Sequence, residues 1–356
     1  MTDSKRLVSL DVLRGLAALL VVVQHAVEHY GSPTFDYVQQ NVVNMGQIGV
    51  LIFFMISGYV IPYSQANAGR SLIAFWIARI FRIYPLYIVV VILNLTLAAL
   101  LFHNLVPDLG KSLIAHVIFA QEWIGLPNYG GPSWTLFLEL LWYGLFAALV
   151  FVRLEKNATL VHIGLMALLL AFLVIVAVLQ RQIPFGKIAF LVTFFLGYIT
   201  YLYRNDALSL FRFRAFALSS VALTMLIMFL CYYVFRDPAR PNISFLCIVL
   251  NWTASLAIFM GLIFSKRTIY SRFFIFLGGI SFSVYLLHDT VINTFRHFAV
   301  DPVIYVPLIL PVTIALSTLT FRLVEKPGMR LGKRLGGRLR SPPTNPLASR
   351  VDKFEG

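Results

Sequence analysis

Residues 9–31 read SLDVLRGLAALLVVVQHAVEHYG, a stretch that is almost all lipid-compatible yet holds an arginine and a histidine. A bilayer core about 30 Å thick needs roughly 20 apolar residues of helix, at about 1.5 Å each, and Leu10 to Tyr30 supplies them. Asp11, Arg14 and His25 then lie at membrane depth or at its edges. An ionisable side chain at the centre of such a helix costs at least about 2.5 kcal/mol, so it is tolerated where it faces protein or a watery cavity. Arg14 and His25 are separated by close to three full turns, which sets them on one face about 16 Å apart along the axis. Taken singly, each has an ordinary explanation: Arg14 snorkels, with Asp11 as its ion partner, and His25 satisfies a backbone carbonyl. Displayed together on one face, they read as part of a site.

The rest of the chain extends this reading. Of 356 residues, 59% are hydrophobic and 12% charged, and the mean hydropathy is +0.83, a balance foreign to soluble domains. The expected fold is an all-α polytopic transmembrane bundle of about ten spans: 9–29, 46–64, 83–102, 133–152, 158–180, 188–203, 215–235, 243–264, 273–295 and 303–321. The first span lacks a small-residue cleavage site and reads as a retained helix, not a signal peptide. A net charge of +14 suggests nucleic acid in a soluble protein; here its distribution argues otherwise. Twenty-two of the 29 Lys and Arg fall on one side of these spans and six on the other, with Arg14 within the membrane. The positive-inside rule puts both termini in the cytoplasm, as expected of a multi-pass protein of the inner membrane. Cys231 and Cys247 give neither a disulfide framework nor metal-ligand spacing, so no metal is expected. Residues 1–325 form the expected membrane domain. Residues 326–356, basic and rich in Gly and Pro, read as a flexible cytoplasmic tail drawn to anionic lipid.

Polar residues at depth mark the candidate site. In the second span Gly46, Gly49 and Gly58 allow close helix approach and Ser57 adds a hydroxyl. Arg79 and Arg82 lie one turn apart just before the third span; such residues either fix topology or grip a phosphorylated ligand. Lys111 to Trp123 is too short to cross and reads as re-entrant or interfacial, leaving His116 and Glu122 solvated. Glu139 is buried in the fourth span about 9 Å from its outer end, and His25 lies about 6 Å from the outer end of the first, so the two are expected to meet. Spans five to eight carry almost no ionisable group at depth and read as scaffold. The ninth span adds Ser281, Ser283, Tyr285 and His288, with His288 either a core histidine or a catalytic one.

The sequence lacks GxSxG, HExxH, Walker and dinucleotide fingerprints. What remains suits acyl transfer from a coenzyme A thioester to an alcohol. A histidine takes the hydroxyl proton, a carboxylate orients it, and arginines at the cytoplasmic end hold the phosphates of the donor.

Five motifs, LDVLRGLAALLVVVQH, IGVLIFFMISGYVI, ARIFRIYPLY, SWTLFLELLWYGLF and GGISFSVYLLH, spread in this order over residues 10–288, resemble the acyltransferase 3 family of integral-membrane acyltransferases. The resemblance implies transfer of an acetyl or other short acyl group from acyl-CoA to hydroxyls of envelope saccharides, free or lipid-linked, and in some members to antibiotics. It also implies His25 as a catalytic residue paired with Arg14, Arg79 and Arg82 on the donor side, and Glu139 as the acid of the Ser-Trp motif. Some members carry an appended extracytoplasmic esterase-like domain; by the resemblance the form expected here is the stand-alone one. The competing reading is a transporter or flippase for a glycan or acylated precursor, with the same polar residues as its pathway.

Overall fold

A computed structural model describes residues 3–28, 32–67, 71–101, 108–121, 124–237, 243–265, 270–298 and 300–337. In chain order the helices are α1 (Asp3–Glu28), α2 (Pro33–Asn41), α3 (Met45–Asn67), α4 (Leu72–Leu100), α5 (Leu109–Val117), α6 (Ser133–Phe151) and α7 (Ala158–Leu179). They continue with α8 (Gly186–Arg204), α9 (Leu210–Phe229), α10 (Phe245–Phe264), α11 (Arg272–Gly279), α12 (Ser281–His297), α13 (Pro302–Thr320) and α14 (Lys326–Gly337). A π-helical turn, Leu230–Val234, extends α9, and another, Phe321–Glu325, joins α13 to α14. Among the described residues nine helices are long and apolar enough to cross a membrane, or ten if α11 and α12 make one span. The protein is therefore an all-α polytopic membrane bundle.

Backbone contacts at glycine hold its centre together. Where α3 crosses α8, a Cβ on Gly58 would lie 2.0 Å from the Phe194 carbonyl oxygen, and one on Gly197 would lie 2.0 Å from that of Met55. Where α1 crosses α11, a Cβ on Gly278 would lie 2.0 Å from the Asp11 carbonyl oxygen and one on Gly15 would lie 2.3 Å from that of Phe274. Small residues at such crossings let main chains touch, which is how helices associate where lipid removes the usual hydrophobic drive.

Three expectations change. The third span begins well before residue 83: Ser71 caps α4 by accepting the Ala74 N–H, and the apolar run Leu72–Trp76 starts the helix there. Arg79, Arg82 and Pro85 are thus all inside α4. The ninth span is not one helix. It breaks between Gly279 and Ser281 with a bend of 76°, where two successive glycines weaken the helix and Gly278 is pressed onto α1. The tail expected to be flexible from residue 326 begins as α14, because the π-helical turn carries the helix on from α13. Gly328, Gly332 and Gly336 form one stripe of α14 and seat it against Ala74, Phe81 and Pro85 of α4. Pro85 has no N–H for the Phe81 carbonyl one turn back, and Gly328 packs at that carbonyl. Residues 338–356 of the expected tail, and Glu122, lie outside the described residues.

Candidate active site

A cavity with about 90 Å³ open to water-sized molecules lies among α1, α3, α4, α6 and α12. Helical spacing explains its lining. Thr135, Glu139 and Tyr143 recur every fourth residue along one stripe of α6; Arg79 and Arg82 share a face of α4; Ser281 and Tyr285 share one of α12. Ser57 from α3 and Arg14 from α1 complete the polar part. The structure thus gathers Arg14, Ser57, Arg79, Arg82, Glu139, Ser281 and Tyr285 around one space.

The three arginines are held differently. Arg14 pairs with Asp11 at 3.1 Å, so Asp11 enters the site through that bond. Arg79 is buried: its guanidinium lies 5.5 Å from the Phe75 ring centre and 5.6 Å from that of Tyr143, and it donates to Ser64 Oγ. Stacking of this kind fixes a cation more than it offers it. Arg82 also lines the cavity, half-buried, and among the described residues makes no hydrogen bond or ion pair. Glu139 accepts from Ser57 Oγ at 3.2 Å and from Tyr143 Oη.

His25 and His288 do not line this cavity. Tyr285 is the link: its hydroxyl meets that of Thr135 at 2.9 Å, and its ring centre is 5.8 Å from that of His288. His288 is wholly buried, donates Nδ1–H to the Tyr285 carbonyl at 2.7 Å, and carries Asp289 Oδ1 3.2 Å from Nε2. The imidazole of His25 stacks on it. The expected meeting of His25 with Glu139 is not what the fold provides. Glu139 bonds to groups on α3 and α6, whereas the carboxylate beside His25 is Glu28, whose Oε2 accepts from Nδ1 at 2.7 Å. Depth along two helices does not identify the partner; the carboxylate lies one turn further along the same helix.

Other residues escaped the sequence reading. Tyr143 and Thr135 stand four residues either side of Glu139, a spacing that marks them as its stripe mates. Glu325 is buried and accepts from Ser283 Oγ at 2.7 Å. Its place after the expected last span hid it. His116, expected in solvent, is buried: Nδ1–H donates to the Ser112 carbonyl at 2.7 Å and Nε2 accepts the Tyr129 N–H at 2.9 Å. Burial pushes its pKa down, which keeps the ring neutral and able to serve as this pin between α5 and the turn before α6.

Fold and cavity define a helical membrane protein with a cationic, hydroxyl-lined interior chamber. Residues 7–322 match the Acyl_transf_3 profile, described as an acyltransferase domain, and the chain belongs to this family. The chain is similar to "Acyltransferase MdmB" of Streptomyces mycarofaciens, 29% identical over 146 residues, which is 39% of this chain and 38% of the relative. It is similar to "Peptidoglycan O-acetyltransferase OatA" of Listeria monocytogenes, 27% identical over 168 residues, covering 42% of this chain and 25% of the relative. The Staphylococcus aureus protein SACOL0978, whose name assigns O-acetyltransferase activity provisionally, is 23% identical over 369 residues, 91% of this chain and 57% of its own. The chain therefore matches only part of the length of these relatives. No solved structure matches it.

Proposed function

We propose that the protein is a membrane O-acyltransferase that moves an acetyl or other short acyl group from acyl-CoA to a hydroxyl of an envelope or extracellular saccharide. The observation that carries the reading is the cavity that gathers Arg14, Arg79 and Arg82 with the Ser57–Glu139–Tyr143 cluster and is also lined by Tyr285, whose ring neighbours that of His288. Membership of an acyltransferase family supports the reaction class, and the name of one relative, a peptidoglycan O-acetyltransferase, is in keeping with a saccharide acceptor. In this reading both termini and the α14 end lie in the cytoplasm, residues 1–325 are the catalytic domain, and the membrane is the inner membrane. Arg82, which lines the cavity and makes no hydrogen bond or ion pair among the described residues, meets a phosphate of the donor; Arg14 and Arg79 maintain the positive field around it. His25 is the general base for the acceptor hydroxyl, and Glu139 positions groups within the cavity.

The test uses purified protein in lipid with radiolabelled acetyl-CoA and envelope saccharides. Label on carbohydrate, lost in His25→Ala at unchanged protein abundance, is the expected result. Activity retained by His25→Ala removes that residue from the mechanism, and no label on any saccharide overturns the reading. A transporter reading has one observation in its favour, the broken pair α11 and α12, but no second broken pair exists among the described residues. Movement of a glycan across proteoliposomes without transfer of label would select it.

A further inference from the structure

We propose that Glu28 and Gln24 are positioning residues for His25, and that they anchor the imidazole to α2 and to the start of α3. The inference rests on the reading of His25 as base and names what makes it one.

Glu28 divides its two oxygens: Oε2 accepts from His25 Nδ1 at 2.7 Å, and Oε1 accepts from Gln24 Nε2 at 3.0 Å. Gln24 is buried, and its amide is fully engaged. The second Nε2 hydrogen goes to Gln39 Oε1 of α2 at 2.6 Å, and Oε1 accepts the Met45 N–H, at the first residue of α3, at 2.8 Å. Gln39 donates onward to Asp36 Oδ1 at 2.9 Å. The helix α2 is itself fixed from α10's side: the Ser244 N–H donates to the Gln40 carbonyl at 2.7 Å, and Ser244 Oγ donates to that of Asn41 at 3.1 Å. A continuous chain of hydrogen bonds thus runs from an anchored surface helix to one nitrogen of one imidazole.

Its chemical effect follows from which atoms can donate. A carboxylate only accepts, so the bond to Glu28 places the proton on Nδ1 and leaves the lone pair on Nε2. In the proposed reaction Nε2 takes the hydroxyl proton of the acceptor as that oxygen bonds to the thioester carbonyl carbon. The carbon–sulfur bond then breaks and the departing thiolate takes the proton back from Nε2, so the imidazole ends as it began. Without Glu28 the ring is free to hold its proton on Nε2, where it has no lone pair to offer.

The experiment uses the full chain in lipid nanodiscs with nitrogen-labelled histidine, the His25 signals being assigned by their loss in His25→Ala. The expected result is an Nδ1-protonated His25 in the wild type, a shift toward the Nε2-protonated form in Glu28→Ala, and a mixture in Gln24→Ala. In the transfer assay Glu28→Ala should lower kcat about 100-fold at unchanged KM for acetyl-CoA, Glu28→Asp should recover part of it, and Gln24→Ala should lose less. An Nε2-protonated His25 in the wild type, or full kcat in Glu28→Ala, overturns the proposal. Failure of the transferase reading shows separately, as absence of labelled saccharide while the tautomer pattern holds.

Discussion

The imidazoles of His25 on α1 and His288 on α12 stack face to face, with ring centres 5.2 Å apart and planes inclined by 27°. His288 is buried and locked by its bond to the Tyr285 carbonyl, so it is the fixed plate against which the half-buried ring of His25 lies. His288→Ala removes that plate and should lower kcat about 100-fold, the scale of a misplaced catalytic group. His288→Phe, which restores a flat ring, should recover most of it. Equal loss in the two variants, measured in the transfer assay, would give His288 a proton-handling role instead.

Arg79 and Arg82 should separate experimentally. Arg82→Gln leaves stacking and hydrogen bonds intact, so it should raise the apparent KM for acetyl-CoA with little change in the melting temperature of the detergent-solubilised protein. Arg79→Ala vacates the space between Phe75 and Tyr143 and strands Ser64, so it should lower the melting temperature as well. Matching effects of the two substitutions on both quantities would contradict this division.

Gly197→Ala places a methyl group on the Met55 carbonyl, and Gly58→Ala does the same to that of Phe194. Each should destabilise the bundle by about 1–3 kcal/mol through overpacking. Gly144→Ala, with open space around its Cβ, is the control and should be neutral. Thermal unfolding of the three variants side by side is the measurement.

Glu325→Ala strips the buried hydroxyl of Ser283 of its acceptor and should cost about 1–3 kcal/mol. Glu325→Gln keeps an acceptor oxygen and should cost less. Combining Ser283→Ala with Glu325→Ala should cost less than the sum of the single changes, since the interaction is lost only once. Strict additivity in a double-mutant cycle would show that the two side chains are not coupled.

How much of this was legible in the sequence depends on the range of the interaction. The spans and their polar residues could be read because lipid penalises every ionisable group at depth, so Arg14, His25, Glu139 and His288 stand out against their neighbours. Their grouping was only partly legible. Arg14, Arg79, Arg82, Glu139, Ser57, Ser281 and Tyr285 do converge around one cavity, but His25 and His288 are not among the residues that line it. The His25–Glu139 pairing failed because depth fixes a residue's height in the membrane and says nothing of its direction around the bundle. The π-helical turn at Phe321–Glu325 and the break after Gly279 were harder to read, since the chain beside each packs on a segment far away in sequence: α14 on α4, and Gly278 on α1.

The crossing of α3 and α8 at Gly58 and Gly197 restricts how such a protein diversifies. Main chain resting on main chain offers no side chain to exchange, so a new acceptor preference has to arise on surfaces that are not pinned in this way. Among the described residues the short helix α5 and the turn before α6 carry no such main-chain crossing, whereas α2 is tied by hydrogen bonds to the His25 network, so in the proposed reading exchange of α5 and that turn disturbs the frame least.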